Sequence, residues 1–561
     1  MRQFKAIGLV LIYALLLSMP TAAVRAQQAQ AATASAVATS ALSTSARADA
    51  ERISAARLSE FLHVVASDQM EGRDTPSRGL DETAKYIVSH LTKWGLKPAG
   101  DDGTFFQRMK LTRKKIDTQA TRVELDGRAL AFGTDYLVGR TPGAAAGGVV
   151  YAGHGWVVKS KNLNAYEGLD VRGKIVVVAS GQLPNGLTRA DLKGEPGAEW
   201  MDAATYARTN GALALVVVPR TKDVAGWWGR VKASMDRGGW EVEKFTSAEE
   251  QRATMPVIYA SQATLESLFA GERLSGAEIW KQTTEGTAGA GFALAPQKQL
   301  KVDVKGGVET AYTQNVVAVV EGGDKQLKNE YVAIGSHYDH EGRGTAVNGD
   351  NIYNGADDDG SGTVAMLSMA EAFARGGQRP QRSILFVWHA GEEHGLWGSR
   401  YFAMFPTVPL QSIIAQLNLD MIGRSKKEGD TNPLNANLSG PEEIYVIGSK
   451  MMSTELGALS ERVNGQFLNL KFNYKYDDPS DPNRFFFRSD HYNYAQKGIP
   501  IIFYFDGVHE DYHRPSDTVD KIDFQKMEKV TRTVFMTASE LANAPARPAV
   551  DKKLPASLTG R

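Results

Sequence analysis

Between Ala55 and Leu96, apolar residues fall at helical spacing: Leu58, Phe61, Leu62 and Val65, then Ala84, Ile87, Val88 and Leu91. That period predicts two amphipathic helices, the second ending at Gly95. From about 125 to 294 the pattern shortens to strand-like runs at 149–152, 175–179 and 213–218, with a helical segment near 200–210. From about 300, strand and helix alternate. Strands are predicted at 315–320, 331–335, 383–388, 413–419 and 499–505, with a helix over 361–375. Strands that are apolar throughout and separated by helices predict an α/β fold. Its main sheet is mixed but mostly parallel and sandwiched by helices, and a smaller β-rich domain is inserted.

The 561 residues suffice for a large core and, by length, for two or three domains. Lys and Arg (64) balance Asp and Glu (64), so no basic field is available to hold nucleic acid or an anionic membrane. Residues 1–26 read as a secretory signal peptide: Arg2 and Lys5, an apolar run over 6–17, and Val24-Arg25-Ala26 as the cleavage site. That run is short of the roughly 20 residues that cross a bilayer. The expected location is therefore the periplasm or the exterior, with no stable membrane anchor after cleavage. The chain has no cysteine, which removes disulfides, thiolate metal sites and lipid-modified cysteine. Residues 27–50, almost all Ala, Ser, Thr and Gln, are expected to form a flexible linker, and 546–561 a disordered tail. Between them lie the expected first part of the main domain (51–124), the insert (125–294) and the rest of the main domain (295–545).

Reactive side chains collect where the strands of the last block end. They are Ser336-His337-Tyr338-Asp339-His340, Asp357-Asp358-Asp359, the run from His389 through Glu392-Glu393-His394, Asp420, and Asp506, His509 and His513. In a parallel sheet these ends share one edge, where ligands bind. Singly, each group has an ordinary reading as a turn residue, a solvated pair or a packed ring. Five such groups on one edge do not. Carboxylates about 6 Å apart repel by about 0.7 kcal/mol in water and by nearly 3 kcal/mol at an effective dielectric of about 20, so the three aspartates call for an offsetting positive charge. Imidazoles and carboxylates without thiolate suit zinc, with manganese or cobalt as alternatives. Enough groups are present for two ions that share a carboxylate, with one Glu left over as general base.

These residues resemble the two-zinc aminopeptidase and glutamate carboxypeptidase family of exopeptidases. The matching pieces are Gly335-Ser-His-Tyr-Asp339, Asn354-Gly-Ala-Asp-Asp-Asp-Gly-Ser-Gly362, Gly391-Glu-Glu-His-Gly-Leu-Trp-Gly-Ser399, Leu417-Asn-Leu-Asp-Met421, Ser489-Asp-His491 and His513-Arg-Pro-Ser-Asp-Thr518. Met70-Glu-Gly-Arg73 and Gly95-Leu-Lys-Pro98 look like the family's opening segment. Gly153-His-Gly155 and Gly173-Lys-Ile-Val-Val177 look like its protease-associated insert. The resemblance implies a zinc exopeptidase fold that holds two Zn2+ per chain. His337 and Asp420 would hold one ion, Glu393 and His513 the other, and Asp358 would bridge them. Glu392 would be the general base that deprotonates the attacking water, and Asp339 would accept the hydrogen bond of the His337 ring. The Asp358-Asp359 peptide bond is implied to be cis.

The implied substrate is a peptide with a free N-terminus, cut by an aminopeptidase. A carboxypeptidase or dipeptidase, a glutaminyl cyclase-like enzyme and a non-catalytic binding protein are alternatives on the same fold. Relatives place a tyrosine before the Ser-Asp-His motif as an oxyanion donor, whereas this chain has Phe485-Phe486-Phe487 there. Tyr474, Tyr476 or Tyr492 could replace it, and the phenylalanines could line a substrate pocket. Alternation along the chain predicts that Tyr338 and His340 point away from His337, and that Asp357 and Asp359 point away from Asp358.

Overall fold

A computed structural model describes residues 41–221, 223–246 and 255–558. The expected signal peptide and the first part of the expected linker lie outside the described residues. The chain divides into two units. One comprises the residues up to Met109 together with those from Tyr312 onward, and the other is Lys110–Ala311. The second unit is wider than the expected 125–294. The crossings fall inside long strands, Phe106–Ile116 and Gly306–Val320, rather than at turns that punctuate the sequence.

The first unit begins with helices α1 (Thr44–Ala50), α2 (Ala55–Val65) and α3 (Arg78–Trp94). Each starts at a serine, Ser43, Ser54 or Ser77, whose hydroxyl accepts an otherwise unsatisfied backbone N–H. Helix α3 stops where the chain adopts a left-handed conformation at Gly95, φ 76°. Its apolar stripe of Leu80, Ala84, Ile87 and Leu91 is buried, as its period predicts. Helix α1 corrects the expected linker, because Ser43 caps it and Leu42, Ala46 and Ala50 are buried. Alanine-rich sequence lacks bulk to drive burial but has the highest helix propensity, and a neighbouring surface supplies the rest.

The strands follow as β1 (Phe106–Ile116), β2 (Gly306–Val320), β3 (Tyr331–His337), β4 (Ser383–His389), β5 (Ile413–Leu419), β6 (Glu443–Ile447), β7 (Lys471–Asn473) and β8 (Ile501–Phe505). Within the first unit the sheet runs β2-β4-β3-β5-β8-β6-β7. The pairs β4/β3, β3/β5 and β5/β8 are parallel, whereas β2/β4 and β8/β6 are antiparallel. Every residue of β4, β5 and β8 is buried, which explains their unbroken apolar character. Helices α4 (Gly362–Arg375), α5 (Trp397–Met404), α6 (Thr454–Gln466), α7 (His491–Ala495) and α8 (Phe524–Asn543) complete the unit. The expected disordered tail is also corrected. Ala549 N donates to Glu455, Lys552 N to the Met452 carbonyl, and Leu558 is buried in the core. Proline and lysine make that segment look unstructured, but a single leucine and backbone hydrogen bonds dock it.

The second unit has its own core around a nine-stranded sheet. Gly143–Tyr151, Ile175–Ala179, Ala214–Val218 and Val257–Ala260 run parallel in that order, preceded by a helix at Ala203–Thr209 before the third. No helix among the described residues is long and apolar enough to cross a membrane.

Candidate active site

Parallel pairing of β3, β4, β5 and β8 brings their carboxyl ends to one edge. There β3 ends in His337, β4 leads into Glu392 and Glu393, β5 into Asp420 and β8 into the His513 loop. The turn Ala356–Ser361 carries Asp358 between them, and the Asp358-Asp359 peptide bond is cis. His337 Nε2 lies 3.3 Å from Asp358 Oδ1 and 3.6 Å from Asp420 Oδ1. His513 Nε2 lies 3.1 Å from Asp358 Oδ2 and 3.2 Å from Glu393 Oε2. Asp358 thus presents one oxygen to each histidine.

The outer ring nitrogens fix what the inner ones can be. His337 Nδ1 is 3.1 Å from the Asp339 carbonyl, and His513 Nδ1 is 3.1 Å from Glu341 Oε1. Each Nδ1 therefore carries the donor proton in the neutral ring, so each Nε2 lone pair faces carboxylate oxygens. Acceptor facing acceptor is repulsive unless a proton or a cation stands between. The separations of 3.1–3.6 Å are those of ligands that share one tetrahedral zinc, about 2.0–2.2 Å from each. Asp358 Oδ2 and His513 Nε2 are moreover buried with no hydrogen-bond partner. The donor set fits zinc.

Electrostatics say the same. Burial disfavours charge on His337, but Asp420 first and then Asp339 and Asp358 raise it well above the usual imidazole range. His513 is also raised against burial, by Asp358, Glu341 and Glu393. Burial likewise works against the Asp358 charge, yet His337 and His513 hold that carboxyl well below its ordinary value. Glu392 is half-buried by area but its carboxyl is ringed by protein. Desolvation, then Glu393, Asp420 and Asp490, push it well above the usual range.

Asp339 sits as close to Glu392 as to the histidine. Its Oδ1 accepts the Glu392 N–H at 3.1 Å and stands 3.7 Å from His337 Nδ1, so its carbonyl is the nearer ring acceptor. The flanking aspartates point away from Asp358, through a tight turn rather than an extended strand. Asp357 Oδ1 accepts Gly423 N–H at 2.7 Å. Asp359 accepts from His337, Gly362 and Met421. The ends of β3 and β5 and the start of α4 are tied together by that one carboxylate. Asp517 Oδ2 in turn accepts the N–H groups of both Asp357 and Asp358.

One histidine differs from expectation. His340 does not point away, since its Nδ1 lies 2.8 Å from Glu393 Oε1. The chain leaves strand geometry after His337, so period-two alternation fails there; a second histidine three residues on was the available signal. His394 pairs with Asp74 at 2.9 Å, and His509 faces Asp357 at 3.3 Å. Asp490 lies 3.3 Å from His389, both fully buried. A small cleft of about 30 Å³ opens over the cluster, walled by Met421, Phe485, Phe503, Phe505 and Val508, with Arg488 and Tyr512 on its polar side. Phe485 alone of the three phenylalanines lines it. Tyr476 and Tyr492 are buried among aromatic rings and the Tyr474 hydroxyl donates to Glu461, whereas Tyr512 stacks on His513 with ring centres 3.9 Å apart.

Residues 315–538 match the family model described as Peptidase family M28. Leucine aminopeptidase 2 of Arthroderma otae is 26% identical over 273 residues, 44% of this chain and 49% of that protein. A probable zinc metalloprotease of Pyrenophora teres f. teres is 30% identical over 265 residues, 42% and 52% of the two chains. The chain spans about half the length of the curated relatives it matches. Among solved structures, an aminopeptidase from Aneurinibacillus sp. strain AM-1 aligns at TM-score 0.49 and 17% identity over 90% of this chain and 97% of the other. The matched span contains every residue of the histidine and carboxylate cluster, and the chain carries a Peptidase family M28 domain over residues 315–538.

Proposed function

We propose that the protein is an exported aminopeptidase that holds two zinc ions, one between His337 and Asp420 and one between Glu393 and His513, with Asp358 shared. The observation that carries this is the pair of Nε2 lone pairs directed at the two oxygens of Asp358. Zinc there supplies Lewis acidity to the scissile carbonyl and acidity to the attacking water. Glu392, raised and in the cleft, takes the proton of that water as oxygen attacks the peptide carbon. It then delivers the proton to the departing amine nitrogen, so the carboxylate is regenerated. The apolar wall of Phe485, Phe503 and Met421 receives the first side chain, and the acidic floor receives the free amine. Tyr512 is the hydroxyl best sited to support the developing oxyanion. The unit Lys110–Ala311 is read as a protease-associated-type insert on its β-rich sheet, and export on the apolar run over 6–17.

Hydrolysis of free and N-acetylated peptides by the zinc-loaded protein tests this. Cleavage of only the free-amine set is expected; equal cleavage rejects it. A carboxypeptidase or dipeptidase reading has one observation in its favour, Arg488 on the cleft, which could meet a substrate carboxylate. Loss of cleavage on C-terminal amidation would favour that reading.

A further inference from the structure

Arg73 is fully buried, yet no carboxylate lies within ion-pair distance of it among the described residues. Its guanidinium instead donates to four backbone carbonyls. Nε–H reaches Tyr338 at 2.9 Å, Nη1 reaches Val65 at 2.8 Å and Asn354 at 2.6 Å, and Nη2 reaches Gly355 at 2.9 Å. Its own carbonyl accepts the N–H of His340 at 3.2 Å. Tyr338 directly follows His337, and Asn354 and Gly355 directly precede the turn that carries Asp358. One planar fork therefore fastens the two loops to each other and to the last residue of α2. Burial opposes the charge of this fork, and the fields of Asp339, Asp359, Asp358 and Asp517 support it.

The backbone is contorted to aim it. Glu71, Gly72 and Arg73 are successively left-handed, with φ of 52°, 70° and 56°. Two of the three carry side chains, and such strain persists only where surrounding structure over-determines it. A Cβ on Gly72 would stand 2.5 Å from the carbonyl oxygens of both Gly342 and Tyr353. The hairpin Gly342–Val347 and Asp350–Tyr353, which links the two loops, is thus closed down on this turn.

We propose that Arg73 is a positioning residue that sets the His337 and Asp358 loops in ligating register before any metal arrives. It offsets their mutual carboxylate repulsion with a fixed charge and holds their backbones with a fixed geometry. The inference rests on the reading of those loops as zinc ligands. Lysine keeps the charge but offers three donors from one point, so it cannot span four carbonyls on three segments.

Amide hydrogen exchange of the chelator-stripped, full-length wild-type protein tests this without any substitution. Residues 337–340 and 355–361 are expected to stay protected, within about tenfold of their zinc-loaded rates. Protection that appears only on adding zinc overturns the proposal. In Arg73→Met and Arg73→Lys alike, zinc affinity is expected to fall at least about tenfold. Wild-type affinity in Arg73→Lys, or an equal drop in melting temperature of zinc-free and zinc-loaded variants with unchanged affinity, overturns it. Should Arg73→Met not fold, Arg73→Lys and the wild-type exchange pattern decide. Failure of the wild type to bind zinc would instead refute the two-zinc reading, and the zinc-free exchange pattern distinguishes the two.

Discussion

Glu392 and Glu393 are adjacent in sequence yet are driven in opposite directions. Burial and the Asp358 charge oppose ionisation of Glu393, but hydrogen bonds from His340 and His513 outweigh them and bring it down to about 2. Glu392 lacks such partners and is pushed well up by the same burial and by Glu393 itself. Neighbouring carboxyls with separated proton affinities divide the labour of ligand and base.

Glu392→Gln removes the base while leaving the cluster of His337, Asp358, Glu393, Asp420 and His513 intact. Turnover should drop at least about a hundredfold with two metals still bound. Metal analysis beside steady-state kinetics checks this; near-normal kcat would strip Glu392 of the role.

Asp358→Ala should abolish binding of both metals, because each histidine loses its shared oxygen. Asp357→Ala should keep both metals but cost about 1–3 kcal/mol of stability, since Gly423 N–H is left buried without an acceptor. Calorimetric titration and thermal melts separate the two effects.

Zinc uptake should strengthen with rising pH, and continue to do so above the ordinary imidazole range. His337 and His513 both hold their protons more tightly than usual in the metal-free protein. Those protons must leave before the nitrogens can ligate, so affinity is lost as pH falls. Titrations in buffers of different ionisation enthalpy should show proton release on binding. A flat affinity between about pH 6 and pH 9 would contradict it.

Phe485→Ala should raise KM for large apolar N-terminal residues by up to about tenfold while sparing small ones. Phe487→Ala should leave that preference unchanged, because its ring packs on Tyr492, 5.2 Å between centres. Identical profiles for the two variants would remove the aromatic wall from substrate selection.

Leu558→Ala should destabilise the protein by about 2 kcal/mol or more, because that side chain is only 2% exposed. A melting temperature equal to wild type would return the tail to the solvent.

Much of this was legible because the central strands are buried on both faces, so β3, β4, β5 and β8 announce themselves as apolar runs and their ends as a common edge. What was illegible depends on neighbours. Alternation placed His340 away from the site, but the chain turns at Asp339. Ser43 and two alanines look like linker until a surface covers them. Arg73 gave only a motif, since a guanidinium that bonds to carbonyls leaves no complementary charge in the sequence. Tyr512 was hidden beside a more conspicuous histidine, and only stacking on that ring puts it in the cleft.

The division of the first unit into segments on either side of Lys110–Ala311 has a temporal consequence. As the chain emerges from the ribosome, α2 and α3 are finished long before α4 and α8, the helices they pack against, exist. About 270 residues separate the end of α3 at Trp94 from the start of α4 at Gly362, an interval of about 13–54 s at about 5–20 residues per second. The intervening unit, whose strands are all at hand, can close first. Leu80, Ile87 and Leu91 meanwhile wait in the open, which makes the nascent chain a client for whatever shields apolar helices during synthesis.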